Sequence, residues 1–419
     1  MEYLENSLRY PSNENTQTWL SRISINHRTC TNGFSDFNIS VPAIALNISS
    51  VDTKKFISNL LAINKASMPQ KLKNNHDDDR MFPEWLDIGD RRLLRSKSVN
   101  ADLVVAKDGS GNFMTITEAL TASVEKREGG GRFVVYIKEG VYSENVEITN
   151  IMTNLMFVGD GIDRTVVTGS RNVVDGATTF NSATVVADGE GFIAKYMTFE
   201  NTAGPEKQQA VAFRSSSEKS VFYQCSFKGY QDTLYVHSMK QFYSSCDIYG
   251  TVDFIFGDAS VVIQNSNIYV RRPMDRQKNT ITAQGRENVN ENTGISIQCS
   301  TVTAAPDLQP VQGSFQTYLG RPWKEYSRTV FMECNLDSLI APEGWLPWDG
   351  NFALDTLYYG EYENAGPGAD TAGRVGWNGY NPVMSSSDAS QFTVNEFLFG
   401  GSWIADVDVG FEPQLNCHA

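Results

Sequence analysis

Residues 221–256 read VFYQCSFKGYQDTLYVHSMKQFYSSCDIYGTVDFIF, and one pattern passes through them twice. Val221, Cys225 and Phe227 recur as Phe242, Cys246 and Ile248: an apolar residue, a Cys four positions on, and an apolar residue two beyond that. Working outward, Ile193, Met197 and Phe199 fit before the pair, and Val262, Ser266, Ile268 and Val330, Cys334, Leu336 fit after it. Ile295, Cys299 and Val302 fit with one residue of slack. The central residues lie 28, 21, 20, 33 and 35 positions apart. Irregular units of this size suit a parallel β-helix, in which each coil stacks on the last. An antiparallel sandwich competes, but it gives no reason for repeated residue types in one column. Short β-rich runs such as FVVYI, NLMFVGD and QFYSSCDIYG, parted by Gly, Asn and Asp, support an all-β chain from about residue 101. One helix is expected at Thr115–Glu125, after the turn DGSGN.

Stacking has chemical consequences. Equivalent positions in adjacent coils lie about 4.8 Å apart. Cys225 with Cys246, and Cys299 with Cys334, share template positions in neighbouring units, so a disulfide is expected in each pair. Asp232 and Asp253 each lie seven residues after their Cys, so the two carboxylates should face the same way from adjacent coils. Like charges that close do not ionise together cheaply, so one carboxyl should hold its proton. An acid beside a carboxylate suits acid–base and nucleophilic work. It could serve a glycosidase, an esterase or a metal site. Two surface turns are the bland alternative, but Val252-Asp253-Phe254-Ile255-Phe256 is a poor context for one.

Several classes are disfavoured. The 419 residues carry a formal net charge of −14, which argues against nucleic acid as a partner. No apolar run reaches the roughly 18 residues of a membrane span. Only four His are present, no CxxC occurs, and no metal or cofactor is expected. There is no GxSxG, and His237 reads as a structural strand residue. Residues 1–95 hold 12 Lys/Arg and 11 Asp/Glu, so the acidity belongs to the later part. That shift divides the chain into a partly helical segment 1–68, a linker 69–100 and a β domain 101–419. Val51, Phe56, Ile57, Leu60, Leu61 and Ile63 recur at roughly helical spacing. The first residues lack a basic stretch followed by an apolar one, so no signal peptide is visible.

Five separated motifs then resemble, in order, those of plant pectin methylesterases. They are Gly140-Val141-Tyr142-Ser143-Glu144, Gln209-Ala210-Val211-Ala212-Phe213-Arg214, Gln231-Asp232-Thr233-Leu234-Tyr235, Asp253-Phe254-Ile255-Phe256-Gly257 and Leu319-Gly320-Arg321-Pro322-Trp323. The resemblance implies a right-handed parallel β-helix preceded by a short, partial α-helical pro-region. It implies hydrolysis of methyl esters in pectin without a cofactor. Asp253 would be the nucleophile, Asp232 the proton donor and then base, and Arg321 the partner of Asp253. Gln231 and Gln209 would stabilise the transition state, and Thr179, Gln209, Arg321 and Trp323 would contact substrate. Residues 1–68 resemble part of an inhibitor-like pro-region, and Arg91-Arg92-Leu93-Leu94 a processing motif. The resemblance further implies a monomer secreted to the plant cell wall, with a proteinaceous inhibitor as a second partner. Asn38 and Asn47 are glycosylation acceptors if the chain is secreted. A pectin-cleaving glycosidase or lyase, and a non-catalytic wall-binding protein, are the rival readings.

Overall fold

The structure is a computed structural model and describes residues 14–36, 50–67, 100–127, 130–404, 407 and 409–417. Arg91-Arg92-Leu93-Leu94, Asn38 and Asn47 lie outside the described residues.

Among those residues three sheets, of eleven, eight and seven strands, run the length of the later part. Each coil contributes a strand to each sheet in turn, and strands of successive coils pair in parallel. Successive coils therefore stack, as the repeat predicts. The repeat itself is the corner between the eleven- and eight-stranded sheets. Tyr196, Gln224, Ser245, Asn265, Cys299, Glu333 and Glu363 all have φ between 46° and 60° there. One left-handed residue turns the chain, and the next points inward: Met197, Cys225, Cys246 and Cys334 all join the main core. Phe199, Phe213, Phe222, Phe227 and Tyr243 fill the coils behind this column, with Phe222 and Tyr243 stacked at 4.4 Å.

Neither expected disulfide is present. Cys225, Cys246 and Cys334 are buried free thiols. Parallel strands hold the Cβ vectors of Cys225 and Cys246 side by side. Their Cβ atoms then stand about as far apart as the strands, beyond the roughly 3.5–4.5 Å a disulfide takes. The thiols instead donate to different carbonyls, Cys225 to Ala194 at 3.4 Å and Cys246 to Ser244 at 3.4 Å. Burial pushes Cys225 up to about 12, which makes it inert. For Cys299 the slack in the template matters. Val262 pairs with Ser296, not Ile295, so Ser300 fills the inward column and Cys299 takes the left-handed corner. A one-residue shift of register turns a side chain to the other face. Cys299 is bonded to Cys417, with Cα atoms 5.7 Å apart.

That disulfide fastens a C-terminal segment laid over the outer face of the eleven-stranded sheet. Lys195, Ser244, Gln264 and Gln298 bond backbone carbonyls of Val407, Gly410, Glu412 and Gln414 in turn. Val394, Phe397, Leu398 and Ile404 pack on Val221, Phe242 and Val262 beneath. The expected helix forms at Ile116–Lys126, with Thr115 accepting from the Glu118 N–H as its N-cap. Its buried residues Ile116, Ala119 and Leu120 cover the first coils.

The early helical reading becomes two helices, Glu14–Asp36 and Ser50–Ser67. Leu20, Ile57 and Leu61 join them, while Phe56 and Ile63 stay exposed.

Candidate active site

The seven-stranded sheet carries the site on its outer face. Leu234 pairs with Ile255, so Asp232 and Asp253 occupy the same place in adjacent coils, as the spacing predicts. Both lie just before their strands with φ of 63° and 51°. Asp tolerates this left-handed region better than most residues. The next two coils complete the cluster. Thr280, on Asn279–Gln284, gives its hydroxyl to Asp253 Oδ1 at 2.7 Å. Arg321 follows Thr317–Gly320 and grips Asp253 with Nε to Oδ1 at 2.8 Å and Nη2 to Oδ2 at 2.6 Å. A Cβ on Gly320 would lie 2.1 Å from Thr282 Oγ1, so only glycine lets this strand seat Arg321.

The two carboxyls differ in their surroundings. Asp253 meets a guanidinium fork and accepts from it through both oxygens. Asp232 is 7% exposed and has no such partner among the described residues. Burial first, then the charge of Asp253, push its carboxyl well above the usual range, and Arg321 only partly opposes this. The site thus sets a carboxyl that favours its proton beside one paired with a guanidinium.

A cleft of about 590 Å³ opens here, lined by Gln209, Gln231, Asp232, Asp253, Arg321, Trp323 and Thr179. All seven residues singled out from sequence therefore converge. The Gln209 side-chain Oε1 is buried without a hydrogen-bond partner. Aromatic rings form the wall: Tyr235 stacks on Phe256 at 4.2 Å, and Phe256 meets Trp323 at 6.0 Å. Phe180, Tyr235, Phe256, Trp348 and Thr280 were not picked out from sequence. Trp348 lies under the Arg321 guanidinium at 4.4 Å. Tyr235 and Phe256 had a signal, since each falls inside a quoted motif.

The first helix forms one side of this cleft through Ile25, Arg28, Thr29, Cys30 and Asn32. Arg28 pairs with Asp258, and with Glu287 at 3.3 Å. Burial works against its charge, but Asp258, Glu291 and Glu287 outweigh it and raise the guanidinium further. Arg22 bonds the Ser216 carbonyl, and Ser238 Oγ at 2.8 Å. Thr29 bonds His237 Nε2 at 2.9 Å, and Ser216 holds the other ring nitrogen at 3.0 Å. Burial, with Arg214, Arg22 and Arg28 nearby, keeps His237 neutral. It is a buried wall residue between two hydroxyls, in keeping with its structural reading.

A parallel β-helix with stacked aspartates on one sheet is open to more than one carbohydrate chemistry, and comparison with known proteins places the chain among ester hydrolases. The pectinesterase family model matches residues 102–402. A probable pectinesterase/pectinesterase inhibitor of Arabidopsis thaliana is 58% identical over 388 residues, 93% of this chain and 73% of that protein. The pectin methylesterase from carrot is 55% identical with a TM-score of 0.74, over 76% of this chain and all of that one. A pectin methylesterase in complex with a hexasaccharide is 26% identical with a TM-score of 0.60, over 76% of this chain and 100% of that one. The chain belongs to the pectinesterase family, a family of carboxylic ester hydrolases.

Proposed function

We propose that the chain hydrolyses methyl esters of galacturonate units in pectin, giving carboxylated pectin and methanol, with Asp253 as nucleophile. The observation that carries this reading is the asymmetry of the stacked pair, one carboxyl in a guanidinium fork and the other buried without one, so that it holds its proton more tightly than usual. Asp253 attacks the ester carbonyl, and Asp232 gives its proton to the departing methanol. Asp232 then takes a proton from water as water opens the acyl-enzyme. Gln231 and Gln209 donate amide N–H groups to the oxyanion, where losing one donor costs roughly 10²–10³ in rate. Trp323 offers its face to the sugar and Thr179 a hydroxyl at the cleft edge. The Asp253→Asn variant keeps its shape and loses the nucleophile. Methanol release from methylated pectin should vanish while the variant still unfolds cooperatively, at a lower temperature because Arg321 loses its partner; retained turnover would remove Asp253 from the mechanism. A reducing-end assay beside it separates this reading from backbone cleavage.

A second reading rests on the first helix. We infer that segment 1–68 acts as an intramolecular inhibitor joined by the linker 69–100 to the enzyme domain 101–419. Its support is the helix's place in the cleft wall, anchored by Arg28 at Asp258. A separate inhibitor protein would compete for the same wall. Pectin as the family's substrate supports a place of action in the plant cell wall, and we propose that the chain works there as a secreted monomer.

A further inference from the structure

We propose that Thr280 is a positioning residue for the reaction, and that it selects Oδ2 of Asp253, not Oδ1, as the attacking atom. The proposal rests on the reading of Asp253 as nucleophile.

Thr280 is fully buried, at 0% exposure, one coil beyond Asp253. Its hydroxyl makes two contacts with that one residue. Oγ1 lies 2.9 Å from the Asp253 backbone nitrogen and 2.7 Å from Asp253 Oδ1. A hydroxyl has a single hydrogen. The backbone N–H can only donate, so Oγ1 accepts there, and its own hydrogen goes to Oδ1. The polarity of both bonds is therefore fixed. Thr280 is in turn held by its backbone, its N–H donating to Thr251 at 3.1 Å. It clamps both the left-handed backbone of Asp253 and its carboxylate rotamer.

The two carboxylate oxygens are not equivalent under this clamp. Each oxygen has about two in-plane acceptor directions. Oδ1 uses both, for the Thr280 hydroxyl and Arg321 Nε. Oδ2 uses one, for Arg321 Nη2. An oxygen with both in-plane pairs committed is a poor nucleophile. Oδ2 keeps an open pair and bonds to the ester carbon, and the carbonyl π pair moves to its oxygen. Collapse breaks the bond to the methoxy oxygen, which leaves with the Asp232 proton as methanol. The acyl-enzyme is an anhydride through Oδ2, with Oδ1 as its carbonyl oxygen still held by Thr280 and Arg321 Nε. Water then adds to the galacturonyl carbon and passes a proton to Asp232. The bond to Oδ2 breaks, and its electron pair restores the carboxylate facing Arg321. Both aspartates end as they began.

The test uses the full chain with methylated pectin, following base uptake and methanol. Thr280→Val keeps the shape and removes the hydroxyl, while Thr280→Ser keeps the hydroxyl and removes the methyl. Losing a hydrogen bond to a charged group predicts a kcat about 10- to 100-fold lower for Thr280→Val, with KM unchanged. Thr280→Ser should stay within about threefold of wild type, because the hydroxyl and not the bulk is needed. If Thr280→Val does not fold, Thr280→Ala adds no bulk and carries the same expectation. Asp253→Asn is run beside them. Turnover by Asp253→Asn defeats the nucleophile reading itself. A dead Asp253→Asn with wild-type kcat in Thr280→Val, or no recovery in Thr280→Ser, overturns the role of Thr280 alone.

Discussion

Asp232 and Asp253 are the same residue type at the same place in successive coils, and in the proposed mechanism their neighbours divide the work between them. Arg321 hydrogen-bonds Asp253 and only partly offsets, at Asp232, the cost of burial and of the nearby negative charge. That cost has a measurable sign. The folded carboxyl of Asp232 is raised above the roughly 3.9 of an unfolded Asp. Between those values the folded state binds more protons than the unfolded one, so stability falls as pH rises through the window. Asp232→Asn removes the titrating group. It should unfold at a temperature no lower than wild type, with its advantage growing as pH rises from about 4. Methanol release should drop by roughly 10²–10⁴, the usual worth of a positioned acid. An Asp232→Asn variant whose melting point tracks wild type at every pH would contradict the assigned burial. The pair was legible in the sequence because seven residues separate each Asp from a core-facing Cys. Thr280 was not, because nothing in RQKNTITAQ marks which coil position meets Asp253 until the register is known.

At the scale of elements, the repeated corner carried the fold, and its one imperfect copy carried the error. A left-handed residue before each inward position explains why Cys, Ser and Met recur, since the inward residue must be small or pliable beside a sharp turn. The slack at Cys299 was the sign of a register shift, and Cys417 had no pattern to link it to Cys299. The first helix showed its periodicity in sequence, but its resting place did not. Polar residues such as Arg22, Arg28 and Thr29 look like a solvated face until Ser216, Asp258 and His237 are seen opposite. Arg28 is 11% exposed and Asp258 2%, so truncating Arg28 leaves a buried carboxylate without its ion pair, held among the described residues only by hydrogen bonds from Gln284 and Thr293. Losses of that kind run to roughly 3 kcal/mol, about a hundredfold in helix docking. Arg28→Gln should therefore raise pectin turnover by the intact chain and speed proteolysis within Glu14–Asp36. Unchanged turnover and unchanged proteolysis would mean that the helix does not gate the cleft.

At the scale of the molecule, charge governs how the enzyme meets a polymer that it makes progressively anionic. The whole chain carries −14, while residues 1–95 hold 12 Lys/Arg against 11 Asp/Glu, so the β-helix carries the acidity. Methylated pectin is uncharged at each ester, and each turnover creates one carboxylate. The repulsion therefore grows along the stretch just processed and not along the stretch ahead. Exposed charges interact over about 10 Å at 0.1 M salt, roughly two sugar units, so the effect is local to the cleft and its rims. Retention on a column of fully de-esterified pectin should be weak at low salt, and added salt should not release the protein, because screening removes a repulsion and not an attraction. Methylated pectin should retain the inactive Asp253→Asn variant better than the de-esterified polymer does at low salt, with the difference shrinking as salt rises. Tight binding to the de-esterified polymer that salt reverses would show that a local cationic surface near the cleft outweighs the net charge, and the acidity would then have no part in moving the enzyme toward unprocessed ester.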